Sequence, residues 1–177
     1  MSETTYFWLD GRKIEIQQDD ESLTIHANDV AEARGAAERA GVKFSSAEVA
    51  GPGLVCARAA GNRDETMSRL RANENVVHHV YRGRQEKDSE YLITESFFVK
   101  FKPDTPEARV RQYFDAEHLI VDQDMGNKTY LVRVTTDTGR NPIRTANAAA
   151  SRDDVEYAEP NLVRRLTRLR EEVTTRR

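Results

Sequence analysis

The stretch VEYAEPN, residues 155–161, determines how the rest of the sequence is interpreted. Val155 and Tyr157 alternate with Glu156 and Ala158, which is the period-two pattern of a β-strand. Pro160 has no backbone N–H to give to a sheet, so it predicts that the strand ends there or lies at a sheet edge. We expect a compact α/β domain before this strand and an arginine-rich tail after it.

Composition and charge limit the class of protein. With 177 residues, 38% of them hydrophobic and 32% charged, the chain suits one medium domain or two small domains with thin cores. The formal net charge of −3 argues against a general nucleic-acid binder. Residues 162–177 carry six Arg and two Glu, a charge of +4, which leaves −7 on the remainder. A basic tail on an acidic body predicts that the tail engages something other than its own domain.

The single cysteine and the absence of targeting patterns bear on the cellular environment. Cys56 is the only cysteine, so the sequence has neither a disulfide framework nor a cysteine metal cluster. A small buried hydrophobic side chain is the preferred interpretation of Cys56, ahead of a reactive thiol. The sequence has no secretory signal pattern and no membrane-spanning run. As given, the chain is expected to be soluble and cytoplasmic, unless it was cut from a longer precursor.

Hydrophobic periodicity predicts the same order of elements twice, namely strand, helix, strand, strand, helix, strand. Glu-Ala-Arg occurs at 32–34 and again at 107–109, at the same point of the first helix. Leu-Val recurs in the third strand, at 54–55 and 131–132. Matching residues in matching elements indicate a tandem duplication. An N-terminal β-hairpin with an Asp-Gly turn precedes the first repeat.

This order predicts an α+β fold of two tandem ferredoxin-like (βαββαβ) units, each an antiparallel sheet with two helices on one face. The other face of each sheet must then meet water or a partner. We predict a first, degenerate repeat with the hairpin at 1–86, then a polar linker. A second repeat follows at 90–165 and a basic C-terminal tail at 166–177.

Motifs of catalysis or cofactor binding are missing from the sequence. It has no Gly-x-Ser-x-Gly turn for a serine nucleophile and no glycine-rich phosphate loop. His78 and His79 would point to opposite faces of a strand, so they cannot share one metal ion. We therefore expect a non-enzyme with no catalytic residues, no metal and no cofactor.

An RNA-binding sheet is the alternative that the predicted fold raises. Phe-Val-Lys-Phe at 98–101 matches the end of the aromatic RNA-binding signature, but Thr-Glu-Ser-Phe at 94–97 fails the half before it. The acidic body also disfavours nucleic acid. Neither a nucleic acid nor a membrane is expected as a partner.

Four segments of the second repeat together point to a known family. They are Phe-Val-Lys-Phe-Lys-Pro at 98–103, the helix with Glu-Ala-Arg at 107–109, Tyr-Leu-Val-Arg-Val at 130–134 and, most specific, VEYAEPN. Roughly residues 94–165 resemble the N-terminal prodomain of subtilisin-like serine proteases of the fervidolysin type. The first repeat is similar in layout but degenerate, with His-His-Val-Tyr at 78–81 in place of the closing motif.

The resemblance implies a propeptide that acts as intramolecular folding chaperone and, once cut, as a tight inhibitor. Its partner would be a subtilisin-like serine protease catalytic domain, in cis or in trans. The open sheet face would pack on two surface helices of that domain, and the tail would lie in its substrate cleft. Apolar subsites would take Leu162 and Val163, and the two arginines after them would mark the maturation point or fill a basic-specific pocket. The protease-binding residues so implied are Glu156, Tyr157, Glu159, Pro160, Asn161, Leu162, Val163, Arg164 and Arg165.

Two alternatives stay open at this point. Leu162, Leu166, Leu169 and Val173 fall on one helical face, so residues 164–177 are equally well predicted as an amphipathic helix. The whole chain is alternatively a tandem ferredoxin-like protein-binding or scaffold module without a protease partner. Its open sheet faces would then pair with each other or with a second copy.

Overall fold

The computed structural model describes residues 5–86 and 88–166. Within them the chain forms nine β-strands and four α-helices. The strands are β1 (Thr5–Leu9), β2 (Arg12–His26), β3 (Phe44–Gly51), β4 (Leu54–Ala59), β5 (Val77–Gly83), β6 (Ser89–Phe101), β7 (Ile120–Asp124), β8 (Thr129–Arg133) and β9 (Val155–Leu166). The helices are α1 (Val30–Arg39), α2 (Arg63–Ala72), α3 (Glu107–Ala116) and α4 (Pro142–Ala150).

Capping residues determine where three of the helices begin. The Asp29 carboxylate accepts the backbone N–H of Glu32 at 2.8 Å at the start of α1. Asn62 and Asn141 cap α2 and α4 in the same way, and Pro142 occupies the first turn of α4. Each cap satisfies a backbone donor that the helix itself leaves free. No helix in the described part of the chain has the length and apolar character needed to cross a bilayer.

The nine strands described form one hydrogen-bonded sheet. Its order is β3-β4-β2-β5-β6-β8-β7, with β1 beside β2 and β9 beside β6. The predicted fold class of two tandem ferredoxin-like units, each with its own antiparallel sheet, is therefore wrong. The physical reason is strand length, because β2, β6 and β9 have 15, 13 and 12 residues whereas common strands have about five or six. Such long strands continue through polar stretches where the sequence predicted a break and a linker.

The described chain divides into two compact units by packing. Unit A comprises residues 5–15 together with Thr94–Leu162. Unit B comprises the described residues of Ile16–Ile93 together with residues 163–166. The N-terminal hairpin thus belongs to unit A, and β9 contributes residues to both units.

In unit A, helices α3 and α4 cover one face of the sheet. The ring of Phe101 lies at the centre of this core, with the rings of Tyr113, Phe114 and Tyr130 at centroid distances of 5.7, 5.8 and 6.3 Å. All three pairs have edge-to-face geometry, which aromatic quadrupoles favour. The other buried apolar members are Phe97, Val99, Val110, Leu119, Val132, Ala146, Ala149, Val155 and Ala158.

The hairpin of unit A has the turn that its sequence predicted. Asp10 and Gly11 both have positive φ, 49° and 70°, as a tight two-residue turn between twisted strands requires. Phe7 of β1 is fully buried, and the Asn147 side chain of α4 donates to the Tyr6 carbonyl at 2.7 Å. These contacts attach β1 to α4.

In unit B, the sheet has an apolar cluster on each face, because alternate residues of a strand point in opposite directions. Helices α1 and α2 cover the face that carries Val55 and Ala57. The opposite face carries a smaller cluster of Leu54, Cys56, Val80 and Leu92, against which Val163 of β9 packs. The residues buried beneath the helices include Leu23, Ile25, Ala33, Ala37, Met67, Leu70 and Val77.

Candidate functional site

Strand β9 carries all nine residues that the sequence predicted to bind a protease. It continues beyond Pro160 to Leu166, so the strand does not end at the proline. Asn161, the residue after the proline, hydrogen-bonds to β6 on both counts. Its backbone carbonyl accepts the Thr94 hydroxyl at 2.6 Å, and its side-chain amide donates to the Ser96 hydroxyl at 3.1 Å. Of the two outcomes that Pro160 allowed, the structure therefore excludes a strand terminus.

The first part of β9 lies in unit A. Glu156 is exposed and forms an ion pair with Lys100 of β6 at 3.1 Å. Tyr157 is 37% exposed, while Pro160 and Ala158 are buried. Glu159 accepts the Asp10 backbone N–H at 2.8 Å, and burial raises the pKa of its carboxyl even though this hydrogen bond opposes the shift. Leu162, the last residue of this part, is half-buried.

Helices α3 and α4 cover one face of the sheet in unit A. Among the described residues, no helix covers the opposite face. Phe98 pairs with Leu131 across β6 and β8, and both side chains are half-buried. Lys100 and Arg133 lie on the same face, since they alternate with the core residues of their strands. We call Phe98, Lys100, Leu131, Arg133 and Glu156 the open face. It presents an apolar centre with charges of both signs around it.

Strand β7 lies at the end of the sheet next to β8 and is exposed along its whole length. Ile120 and Val121 are 43% and 42% exposed. Asp122 pairs with Arg133 of β8 at 3.2 Å. An edge strand with exposed aliphatic side chains is a surface to which another strand can be added.

The end of β9 lies in unit B. Val163 packs on the apolar cluster of Leu54, Cys56, Val80 and Leu92. The Arg164 guanidinium pairs with Glu86 at 2.7 Å and donates a hydrogen bond to the Ser89 hydroxyl oxygen at 3.0 Å. The two charged partners are 49% and 55% exposed, so this pair contributes little stability.

Arg165 occupies a far less exposed position than its neighbour. One terminal nitrogen contacts Glu48 at 2.7 Å, and the other contacts Glu90 at 2.6 Å and the Cys56 sulfur at 3.2 Å. The Arg165 and Glu90 side chains are only 22% and 10% exposed. Nε of Arg165 is buried and has no hydrogen-bond partner in the described part of the chain.

The ion pairs of Arg165 continue into the sheet. Arg82 lies 3.4 Å from Glu90 and 2.6 Å from Asp19, which is 9% exposed. Burial opposes ionisation of Asp19, but the backbone N–H groups of Glu21 and Ser22 and the Arg82 guanidinium outweigh it, so its pKa is lowered. We call Asp19, Glu48, Arg82, Glu90 and Arg165 the ionic cluster.

Cys56 lies beside this cluster and is 7% exposed. Burial raises the pKa of its thiol, and the nearby Arg165 guanidinium offsets only part of that effect. The thiol is therefore protonated at neutral pH and is a poor nucleophile. A polar cavity of about 370 Å³ adjoins it, lined in part by Ser22, Ser46 and Arg58.

The histidines of β5 are half-buried, and His78 Nε2 and His79 Nδ1 have no hydrogen-bond partner in the described structure. Desolvation lowers the pKa of each to about 4, assisted by Arg71 in both cases and by the adjacent His26 ring for His78. Both imidazoles are therefore neutral at pH 7. Among the described residues, no group of three or more His, Cys, Asp and Glu is arranged to hold a metal ion.

Sequence reasoning missed the ionic cluster. Glu90 was assigned to the start of the second repeat next to a polar linker, Asp19 was predicted to be a solvated residue at a turn, and Glu48 carried no motif. Their partners Arg82 and Arg165 are distant in sequence, so no local spacing connects them. The one available signal was the charge imbalance between the body and the end of the chain. The predicted tail beyond Leu166, with Leu169 and Val173, lies outside the described residues.

The sequence matches no protein-family model and no curated protein. Among solved structures, the chain is similar to the small subunit of acetolactate synthase from Thermotoga maritima. The two share 14% sequence identity, the similarity covers 84% of this chain and 97% of that chain, and the TM-score is 0.29. So distant a likeness supports no inference about the function of this chain.

Proposed function

We propose that the chain is the propeptide of a subtilisin-like serine protease and acts as its folding chaperone and inhibitor. The open face of unit A is the observation that carries the proposal. It combines the half-buried pair Phe98 and Leu131 with the exposed Glu156 of the VEYAEPN strand. A docked partner would remove this apolar centre from water.

The charges of the open face suit the surface of two helices. A carboxylate such as Glu156 is stabilised at a helix N-terminus, where the backbone N–H groups are unpaired and the dipole is positive. Docking would exchange the ion pair of Glu156 with Lys100, which is 45% and 28% exposed, for contacts at the interface. Losing so exposed a pair costs little.

The second part of the proposal concerns residues 161–165. An extended segment laid along a substrate cleft gains main-chain hydrogen bonds there, and pockets of the cleft select its side chains. In the proposed complex, Leu162 and Val163 fill apolar subsites, and Arg164 and Arg165 lie at the maturation point or in a basic-specific pocket. Residues 161–165 are part of strand β9 in the free chain, so they would have to leave the sheet to enter a cleft.

Inhibition of a panel of subtilisin-like catalytic domains by the purified chain tests the proposal. We expect tight inhibition with slow onset that is lost when residues 162–177 are removed. Phe98→Asp should weaken inhibition at least ten-fold, since it places a charge at the centre of the open face. Val49→Asp is the matched control, because Val49 is an exposed valine of β3 in unit B. Absence of inhibition of every active protease by the intact chain would contradict the proposal.

The exposed edge strand β7 favours a second candidate function, that of a protein-binding or scaffold module without a protease. Ile120 and Val121 would then lie at an interface between two copies whose β7 strands pair. Sedimentation analysis at increasing concentration should show a dimer that Val121→Lys disrupts. A monomer at all concentrations excludes this candidate and leaves the protease proposal unaffected.

A further inference from the structure

We propose that unit B contains a binding site for an extended arginine-bearing segment, and that the end of β9 occupies this site in cis as a latch. The segment is residues 163–166, and the site consists of Glu48, Glu90 and the apolar cluster beneath Val163. This assigns unit B a function of its own, which is to hold the end of the last strand.

The side chains around Arg165 favour a guanidinium over other groups. Glu48 of β3 and Glu90 of β6 contact different terminal nitrogens, at 2.7 and 2.6 Å. A planar guanidinium carries donors on both sides and can satisfy two carboxylates at once. A lysine ammonium at the same position is a compact point charge on a flexible stem and lacks this fork geometry.

The charge balance shows that the segment completes the site. Among the five members of the ionic cluster, three carboxylates face two guanidiniums. Without Arg165, Glu90, which is 10% exposed, would keep Arg82 as its one partner within the ionic cluster, and Arg82 already pairs with Asp19. Carboxylates buried to this degree are stable only with a cation beside them. The site is therefore suited to receive one arginine.

The other side chains of the segment contribute unequally. Val163 adds apolar contact with Leu54, Cys56, Val80 and Leu92. The pair of Arg164 with Glu86 is exposed on both sides. The side chains thus anchor the segment at two points, Val163 and Arg165, in addition to the pairing of β9 with β6, and loss of both anchors favours its release. Release would make the backbone groups of residues 163–166 available to another protein.

This inference does not depend on protease docking and is tested without a protease. Hydrogen–deuterium exchange of the full chain, followed by mass spectrometry, reports on a peptide that covers residues 162–166. Arg165→Lys should accelerate its exchange at least five-fold, because one carboxylate loses its donor. Arg164→Lys, a change of the same chemistry at the neighbouring residue, should stay within two-fold of the unmodified chain.

A second pair of variants changes the site instead of the segment. The double variant Glu48→Gln, Glu90→Gln should also accelerate exchange of the segment at least five-fold. Glu65→Gln is its control, because Glu65 pairs with Arg69 on the exposed surface of α2. Equal exchange in Arg165→Lys and Arg164→Lys would overturn the latch, even if the double variant lost its fold. Because the measurement contains no protease, that result would leave the proposed function untouched.

Discussion

Arg164 and Arg165 follow one another in the sequence, yet their side chains lie in different environments. The Arg164 pair is about half exposed on both sides, whereas Arg165 is 22% exposed and contacts two carboxylates. Solvent screening weakens the first pair, while the second leaves buried carboxylates without a cation when it is lost. The two residues therefore differ in how much each stabilises the fold.

Arg165→Ala should lower the free energy of unfolding by about 2–3 kcal/mol, somewhat less than the loss of one partner from a fully buried pair. Arg164→Ala should lower it by less than about 1 kcal/mol. Urea denaturation at pH 7 measures both. A loss of the same size in the two variants would mean that the carboxylates around Arg165 are solvated.

His78 should make stability depend on pH. Its pKa is about 4 in the folded chain, against an unfolded value of about 6.5, because it is desolvated beside His26 and Arg71. The unfolded chain therefore binds a proton that the folded chain does not bind as pH falls from 6.5 to 4. The stabilisation is complete above about pH 6.5 and is lost through that window, by on the order of 3 kcal/mol.

Urea denaturation from pH 7.5 to 4.5 measures this effect by comparison of the original chain with His78→Gln. The variant should lose less stability than the original chain between those two pH values, because glutamine does not titrate. Parallel profiles for the two chains would show that the pKa of His78 is the same in the folded and the unfolded chain.

At the residue scale, local chemistry was predictable and distant pairing was not. Asp10-Gly11 forms the predicted turn, and the Asp29 carboxylate caps α1. Both depend on backbone groups within a few residues. Glu48 and Arg165 meet only because strands far apart in sequence lie together. No periodicity in one sequence contains that information.

At the scale of single elements, helix α1 has a glycine that can be replaced by a residue of higher helix propensity without a steric clash. Gly35 lies in the helix interior, and a methyl group there would be 3.5 Å from the flexible end of Arg39. Gly35→Ala should therefore raise the free energy of unfolding by about 0.5–1 kcal/mol, since alanine loses less backbone entropy on folding.

The matched control for Gly35 is Gly53→Ala, which should destabilise the chain because Gly53 has φ of 65° in the turn before β4. Thermal unfolding measures both effects, and the melting temperature should rise in Gly35→Ala and fall in Gly53→Ala. If Gly35→Ala lowered the melting temperature, the contact with Arg39 would be tighter than ordinary van der Waals distance.

Strands were harder to predict than helices because polar residues do not always end a strand. Asp19 and Glu90 lie inside β2 and β6, where arginine side chains neutralise them. A sequence pattern assigns such residues to loops, since burial of an unpaired charge is unfavourable. The pairing that removes the cost is visible only in the folded sheet. Pro160 is a different case, because its missing N–H allows either a strand end or an edge strand and does not decide between them.

At the scale of the whole molecule, the order of helices and strands followed from periodicity, whereas the sheet did not. The predicted separation into two sheets fails because β2, β6 and β9 are long and are hydrogen-bonded into one sheet with the other strands. A helix can be predicted from the apolar face of about ten consecutive residues. A sheet can be predicted only when the pairing partner of every strand is known, and those partners are distant in sequence. The open face was predictable as a bare sheet surface, while the ionic cluster required the strand partners.

Strand β9 contributes its first part to unit A and its end to unit B, so truncation should separate the two contributions. Removal of residues 163–177 deletes Val163 and Arg165, and with them apolar cover of Leu54 and Val80 and the cation of the ionic cluster. Burial of one valine is worth about 1.5 kcal/mol, and the cation adds a contribution like that expected for Arg165→Ala.

We expect amides of β4 and β5 to exchange faster by at least ten-fold, with those of β8 little changed. The control is removal of residues 167–177 alone, which retains every contact described for β9. Hydrogen–deuterium exchange that increased equally in β5 and β8 would show instead that the chain opens as one cooperative structure.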